Sequence, residues 1–408
     1  MTNAVSSLQG FLDARLAERR AQQLYRSHKV LAAAPGPRAL VDGRALITFS
    51  SNDYLGLAAH PQVIAAQQRG AELGAGATAS HLVNGHFEIH QQLQESIARA
   101  TGREAALLFG SGYMANLGVI SALVGRGDCV VQDKLNHASL IDGARLSGAQ
   151  LLRFAHSDLD ALERQLQRAR ASAAGNILVA VDGVYSMDGD CAPLAEIAAL
   201  CRAYGAWLMV DEAHGFGVMG GESLPGAGSA AAAGLDQESA PIVMGTLGKA
   251  AGNSGAFVAG SRALIDFLTQ FARTYIYTTG MPPAVAAGSV RALELMQTQP
   301  LRLTLEQRID YFRTRAQQLG LPLENSCTAI QPLVLGCEQR VLAVASALEA
   351  SGYLVGAIRP PTVPTGTARL RITLSAAHSE AQIDGLLQAL VEAVDKLPAG
   401  VHNVEASA

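Results

Sequence analysis

Apolar and polar positions alternate along this chain in two rhythms. From residue 105, short apolar runs recur at 105–109, 129–132, 151–154, 177–182, 207–211, 242–245 and 256–259. Most of them are separated by stretches with helical spacing, which predicts an α/β fold around a largely parallel sheet of seven strands. One intervening helix can be read closely. Pro193 fits its first turn, Leu194, Ile197, Ala198 and Cys201 repeat along one face, and Gly205 follows its end. That spacing makes Cys201 a core residue. Near the N-terminus, Leu8, Phe11, Leu12 and Leu16 share one helical face, which predicts a helix packed on something larger. Pro35, Gly36, Pro37 and Gly43 then interrupt the pattern. After Met281-Pro282-Pro283 a helical region runs toward residue 320, and the last hundred or so residues alternate strands and helices as a smaller α+β domain. The expected division is an N-terminal helix and arm over 1–50, a large domain over 51–285, a small domain over 286–397 and a loose tail over 398–408.

Composition narrows the chemistry. With 408 residues, 49% hydrophobic and 16% charged, the chain can bury more than one small core. A net charge of −4 offers no basic surface for nucleic acid or anionic lipid. No apolar run approaches the roughly 20 residues that span a bilayer, and no export signal is evident. A soluble cytoplasmic protein acting on small molecules is expected. The five cysteines form no CxxC pair and show no metal-ligand spacing, so they read as reduced thiols, and no metal is expected.

Ligands of open α/β sheets bind beyond the carboxyl ends of the strands, so the residues that follow each run carry the functional signal. After 105–109 come Gly110-Ser111-Gly112-Tyr113, a glycine turn opening a helix whose free N–H groups suit a phosphate. After 129–132 comes His137, and after 177–182 comes Ser186. The run 207–211 ends in Asp211 with His214 three residues on. A carboxylate there needs a partner, because burying an unpaired charge is costly. A metal pair or a cationic ring nitrogen would each serve. The run 242–245 leads to Thr246-Leu247-Gly248-Lys249. Lys249 is one of only four lysines in a chain that otherwise uses arginine, and its neighbours are apolar. Desolvation lowers a lysine pKa and frees the amine as a nucleophile or Schiff-base partner. A phosphate-binding or surface lysine is the plainer alternative for that residue taken alone. Together the set matches what pyridoxal phosphate asks of a protein: an amine, an anionic partner, a phosphate cradle and a flat face. No G-x-G-x-x-G follows a first strand and no P-loop appears.

Five segments, 50–57 (SSNDYLGL), 136–139 (NHAS), 186–190 (SMDGD), 211–215 (DEAHG) and 246–249 (TLGK), give the chain its resemblance to the α-oxoamine synthases. These are fold-type I pyridoxal-phosphate enzymes that condense an amino acid with an acyl thioester and release carbon dioxide. The resemblance covers nearly the whole length. It implies Lys249, Asp211 and His137 as catalytic residues. Around the cofactor it implies Gly112, Tyr113 and Thr246 on the phosphate, His214 and Ser186 toward the ring hydroxyl, and His137 stacked on the ring. It also implies a homodimer in which Thr278 reaches the phosphate of the neighbouring subunit. Asn52 and Arg371 would grip the amino-acid carboxylate, with Leu370 and Ile372 turned inward on the same strand. Thr362 would contact substrate, and an arginine of the N-terminal helix would meet the acyl substrate, Arg20 chosen over Arg19 and Arg26. The C-terminal segments 329–333 (AIQPL), 358–364 (IRPPTVP) and 366–371 (GTARLR) favour the branch that joins L-alanine to pimeloyl-CoA or a pimeloyl-acyl carrier protein. Other branches use glycine with acetyl-CoA or succinyl-CoA, or serine with palmitoyl-CoA. The resemblance disfavours an aminotransferase, which would form a keto acid without any thioester, and the presence of both Lys249 and Asp211 disfavours an inert cofactor-binding subunit. The glycine-rich segment 74–81 (GAGATASH) has fewer glycines and serines than the family pattern, in a loop expected near the acyl chain.

Overall fold

The computed structural model describes residues 7–22, 24–172 and 174–396. The proposed tail over 398–408 lies outside them. Two sheets organise the chain. Close to the N-terminus, β1 (Arg38–Val41) and β2 (Arg44–Phe49) form a hairpin that belongs to the second sheet. The first sheet holds β3 (Ala105–Phe109), β4 (Cys129–Asp133), β5 (Gln150–Phe154), β6 (Ile177–Asp182), β7 (Trp207–Asp211), β8 (Ile242–Thr246) and β9 (Ala256–Gly260). Its order is β3-β9-β8-β7-β6-β4-β5, and only β9 runs against its neighbours. Each of the seven apolar runs is a strand to within a residue at either end. Strands β3, β4, β6 and β9 are buried at every position, as expected for strands covered by helices on both faces. Removing each Leu, Ile, Val or Phe side chain from water there contributes about 1.5–3 kcal/mol.

The second sheet adds β10 (Ile330–Gly336), β11 (Tyr353–Ile358) and β12 (Ala368–Thr373) in the order β1-β2-β11-β12-β10. Strand β2 pairs parallel to β11 across the full length of the chain. The segment 1–50 is therefore not only a helix and arm, because its two strands complete the C-terminal lobe. One hydrophobic core runs through both lobes, from Phe49, Tyr54 and Leu57 through Phe216 and Leu247 to Leu370, Ile372 and Leu386.

The helices follow the pattern with three adjustments. The helix Leu194–Ala203 buries Leu194, Ile197, Ala198 and Cys201, with Pro193 one residue ahead of it as N-cap. The region after Pro283 is two helices, Pro283–Thr298 and Leu301–Gln318, broken where Pro300 lacks an N–H to continue the first. The N-terminal helix Leu8–Ala21 forms, capped by Ser7, but buries none of its residues. Leu8, Phe11, Leu12 and Leu16 all lie exposed, so the surface expected beneath them is not supplied by the described residues. Among the described residues, no helix is long and apolar enough to cross a membrane.

Candidate active site

The carboxyl ends of β6, β7 and β8, with the segments that follow β3 and β4, converge on one cleft of about 180 Å³. Gly112, Tyr113, His137, Ser186, Asp211, His214, Thr246 and Lys249 all line it. Strand alternation and short turns are enough to bring eight residues spread over more than a hundred positions into one space.

Lys249 stands in the loop between β8 and β9. That loop is tight: Gly252 N–H donates to Lys249 O at 2.8 Å and Asn253 N–H to Leu247 O at 2.8 Å. Gly252 has φ of +64°, and a Cβ there would come within 2.3 Å of Ala58 N, so only glycine fits. Inside the strand, a Cβ on Gly245 would strike the Phe257 ring at 2.3 Å. Burial lowers the Lys249 amine to about 8 against the pull of Asp211, and Arg371 lowers it further. At neutral pH a usable fraction of the amine is therefore unprotonated. Its Nζ lies 2.7 Å from His214 Nε2. The His214 ring is kept neutral by burial and by the charges of Lys249 and Arg371, and its Nδ1 meets the Tyr54 hydroxyl at 2.5 Å.

Asp211 accepts from Asn116 Nδ2 at 2.7 Å and from Ala213 N–H at 2.9 Å. The same Asn116 amide donates to Ser139 Oγ at 2.8 Å, and Ser139 Oγ sits 2.7 Å from His137 Nδ1. His137 caps the helix Ala138–Ser147, and its own N–H donates to Asp182 Oδ2 at 2.9 Å. Burial lowers the His137 pKa, opposed by Asp211 and reinforced by Lys249. Asp182 is the register partner of Asp211 on the neighbouring strand. Burial, then the nearby Asp211 charge, raise its pKa well above the ordinary carboxyl value, and its Oδ1 has no hydrogen-bond partner within the described residues.

Below the cleft, Arg371 on β12 donates from Nε to Ser186 O at 2.6 Å, and from Nη1 and Nη2 to Asn52 Oδ1 at 3.2 Å. Leu370 and Ile372 on either side are fully buried, as the alternation requires. Tyr54, whose hydroxyl burial pushes up to about 12 against the effect of Arg371, also reaches Asn52 Oδ1 at 3.3 Å. Asn52, Arg371, Tyr54, His214 and Lys249 thus form one hydrogen-bonded chain from the small lobe to the amine.

Three expected residues fall elsewhere. Thr278 is half-buried and outside the cleft. Thr362 lines a separate depression of about 350 Å³ together with Arg19, Arg26 and Arg359. Arg20 does not join them. It lies over the Tyr25 ring at 4.5 Å, because successive helical positions turn away from one another and Arg19 takes the inward one. Asp182, Asn116, Ser139 and Tyr54 line or brace the site without having been singled out by sequence. Asp182 ends an apolar run just as Asp211 does, and that signal was available. Asn116 sits within a helix, where nothing local marks a functional residue, and Tyr54 lies in the 50–57 segment, whose pattern does not say which side chain reaches the site.

Away from this cleft, His81, His86 and His90 each bring a ligand atom within 4.8 Å of the others. Both ring nitrogens of His90 are already engaged, with Phe87 N–H at 2.9 Å and Met281 O at 2.8 Å. The ring works as a helix cap.

The donor set fits pyridoxal phosphate. It offers a shielded amine, the first-turn N–H groups of the helix Gly112–Leu123, which have no intrahelical acceptor, and two adjacent buried carboxyls lining the cleft, one with an oxygen that has no partner among the described residues.

Comparison with known proteins agrees with that chemistry. The family profile described as aminotransferase class I and II matches residues 44–390. The 8-amino-7-oxononanoate synthase of Cellvibrio japonicus (strain Ueda107) is 56% identical, over 96% of this chain and 97% of that protein. The enzyme of the same name from Pseudomonas putida (KT2440) is 55% identical, over 95% and 98%. Among solved structures, a serine palmitoyltransferase from S. paucimobilis with bound PLP-myriocin aldimine superposes with a TM-score of 0.89 at 31% identity, covering 95% of this chain and 98% of that one. The 8-amino-7-oxononanoate synthase of Francisella tularensis gives 0.74 at 30% identity, covering 86% and 98%. The chain belongs to the aminotransferase class I and II family of fold-type I pyridoxal-phosphate enzymes and, within it, to the 8-amino-7-oxononanoate synthases. It is a pyridoxal-phosphate-dependent acyltransferase.

Proposed function

We propose that this enzyme joins L-alanine to a pimeloyl thioester, releasing carbon dioxide and the thiol and giving 8-amino-7-oxononanoate for biotin synthesis. The observation that carries the reading is the convergence of Lys249, Asp211, His214 and His137 on one cleft that also receives a helix N-terminus. Pyridoxal phosphate, when bound, supplies an aldehyde that traps amines and a ring that accepts an electron pair. Lys249 would hold the aldehyde, Asp211 the ring nitrogen, His214 and Ser186 the hydroxyl side, and His137 one face. Gly112, Tyr113 and Thr246 would hold the phosphate, with Thr278 reaching it from the neighbouring subunit of a homodimer.

The residues of the chain then divide the labour. Arg371 and Asn52, already hydrogen-bonded, orient the alanine carboxylate that leaves as carbon dioxide. Lys249 Nζ, held near 8, is positioned to take the α-proton and later to return one. His214, neutral between Lys249 and Tyr54, keeps the amine oriented without adding a competing positive charge. Arg19 and Arg26 share a depression with Arg359 and Thr362, which supports their meeting, in place of Arg20, an anionic group of the acyl substrate, on CoA or on a carrier protein. The working division is a cofactor-binding body over 51–285 and a substrate-gripping lobe over 286–397 completed by β1 and β2. We place the reaction in the cytoplasm, in keeping with free cysteines at all five positions.

Mass spectrometry of the product formed from L-alanine and pimeloyl-CoA tests the assignment. A mass other than that of 8-amino-7-oxononanoate, or faster thioester release from acetyl-CoA with glycine, overturns it.

A further inference from the structure

The loop that follows β6 and the segment that enters β10 meet outside the cofactor cleft, and each brings a cysteine. Cys191 closes the first loop, half-buried and bridged to Val184. Cys327 lies exposed in the second, between Ser326 and Thr328. Ser326 Oγ and Thr328 Oγ1 both donate to Gly189 O at 2.9 Å, so hydrogen bonds on either side of Cys327 fasten it to a carbonyl two residues from Cys191. The packing is close enough that a Cβ on Gly189 would come within 2.3 Å of Ile330 O and 2.6 Å of Ser326 Oγ. The far side of the segment is fixed by Arg313 Nη1 and Gln331 Nε2, which donate to Ser326 O at 2.6 and 3.0 Å. Within that frame the two thiols are near enough for each to shift the other's pKa.

We propose that Cys191 and Cys327 are a reversible oxidation site, closing to a disulfide that ties the strand-end loop of the large sheet to the small lobe. The chemistry needs a two-electron oxidant of the peroxide class. The Cys327 thiolate attacks a peroxide oxygen, the O–O bond breaks, and water and a sulfenic acid result. The Cys191 thiol then attacks that sulfur, forms the S–S bond and expels the second water, so that two thiols and one hydrogen peroxide give one disulfide and two waters. The neighbouring Cys191 thiol, opposed by burial and helped by Arg313, pushes the Cys327 thiol down to about 6, which leaves it largely thiolate at neutral pH and open to solvent. The other three cysteines have no such arrangement. Cys129 and Cys201 are buried with thiols pushed up to about 11 and about 12 by burial, and Cys337 is half-buried.

The tie would fall beside the carboxylate grip. The loop that ends at Cys191 also presents Ser186 O to Arg371 and Asp188 to Arg369, so closing the disulfide fixes the segment on which both arginines of β12 rest.

The test uses the cofactor-loaded, full-length protein, reduced and then exposed to hydrogen peroxide. Thiol titration after denaturation is expected to fall from five groups to three, with one cross-linked peptide pair containing Cys191 and Cys327 by non-reducing mass spectrometry. Dithiothreitol restores five. Cys327→Ser and Cys191→Ser each hold four thiols before treatment, and neither yields the cross-linked pair. Oxidised wild-type protein should also unfold at a higher temperature than its reduced form, a shift absent in both variants. Conversion of Cys327 to sulfinic acid while Cys191 stays a free thiol, or a cross-link between other cysteines, overturns the proposal, as does a full count of five thiols after treatment.

Discussion

Asp182 and Asp211 stand side by side at the ends of paired parallel strands, both buried, and the first keeps one oxygen without a partner among the described residues. Burial, then the Asp211 charge, raise the Asp182 pKa well above the ordinary carboxyl value, against the opposing pull of the His137 N–H and Lys249. A carboxyl whose folded pKa is raised above its ordinary 3.8 stabilises the fold below that value and loses the contribution as pH rises through the folded pKa. Asp182→Asn removes the titration. The melting temperature of the cofactor-free variant should therefore fall less than that of wild type as pH is raised from about 4 toward neutral. Parallel melting profiles would contradict this account of the pair.

Lys249→Ala should reduce turnover by about 10³-fold or more, since it removes both the covalent anchor and the proton carrier. Borohydride treatment of the loaded enzyme should attach the cofactor to the peptide containing Lys249 and to no other. Cofactor found on a different lysine after reduction would displace Lys249 from its role.

The amine itself can be titrated. In the cofactor-free protein, labelling of Lys249 by an amine-reactive reagent should rise through a midpoint near 8. Asp211 holds that value up, so Asp211→Asn should move the midpoint lower still. A midpoint at the ordinary lysine value of 10.5 in wild type would mean the site does not desolvate its amine as described.

Arg371→Lys keeps the charge but loses the planar fork that spans Asn52 Oδ1 and Ser186 O. The KM for alanine should rise by roughly 10- to 100-fold, corresponding to about 1–3 kcal/mol of charge-assisted hydrogen bonding. The KM for the thioester should change little. Equal effects on both substrates would point to general damage to the lobe.

His156 bridges two acids, with Nδ1 at 3.1 Å from Asp133 and Nε2 at 2.8 Å from Asp190. Burial alone would lower its pKa, but the two carboxylates outweigh burial and raise it to about 10. The stabilisation is complete below the ordinary value of 6.5 and is lost as pH rises through about 10. His156→Gln should cost roughly 3 kcal/mol at neutral pH, because Asp133 is wholly buried and loses its counter-charge. In urea unfolding, the gap between variant and wild type should close as pH climbs from about 8 to about 11.

The seven strands of the large sheet were readable from sequence because burial on both faces writes each as an unbroken apolar run. The small lobe was legible only as an alternation of elements. Its sheet depends on β2 lying beside β11, and no local pattern encodes a pairing between the two ends of a chain. The site divides in the same way. Residues at or just past a strand end, such as Asp211, His137 and Lys249, announce themselves by position. Asn116 acts from inside a helix, and the choice among Arg19, Arg20 and Arg26 turns on where a helix ends, which a row of nearby arginines leaves open.

The antiparallel run of β9 has a mechanical consequence. A parallel successor to β8 would need a crossover helix, and Lys249 would hang from a long, compliant connection. The reversal lets nine residues close the turn, with Leu247 N–H on Gly255 O and the Thr246 hydroxyl on the same oxygen. The reactive nitrogen is therefore mounted on a short rigid bracket rather than a hinge. Surface loops of this protein can absorb added length, whereas one extra residue between β8 and β9 would carry the amine out of reach of its partners.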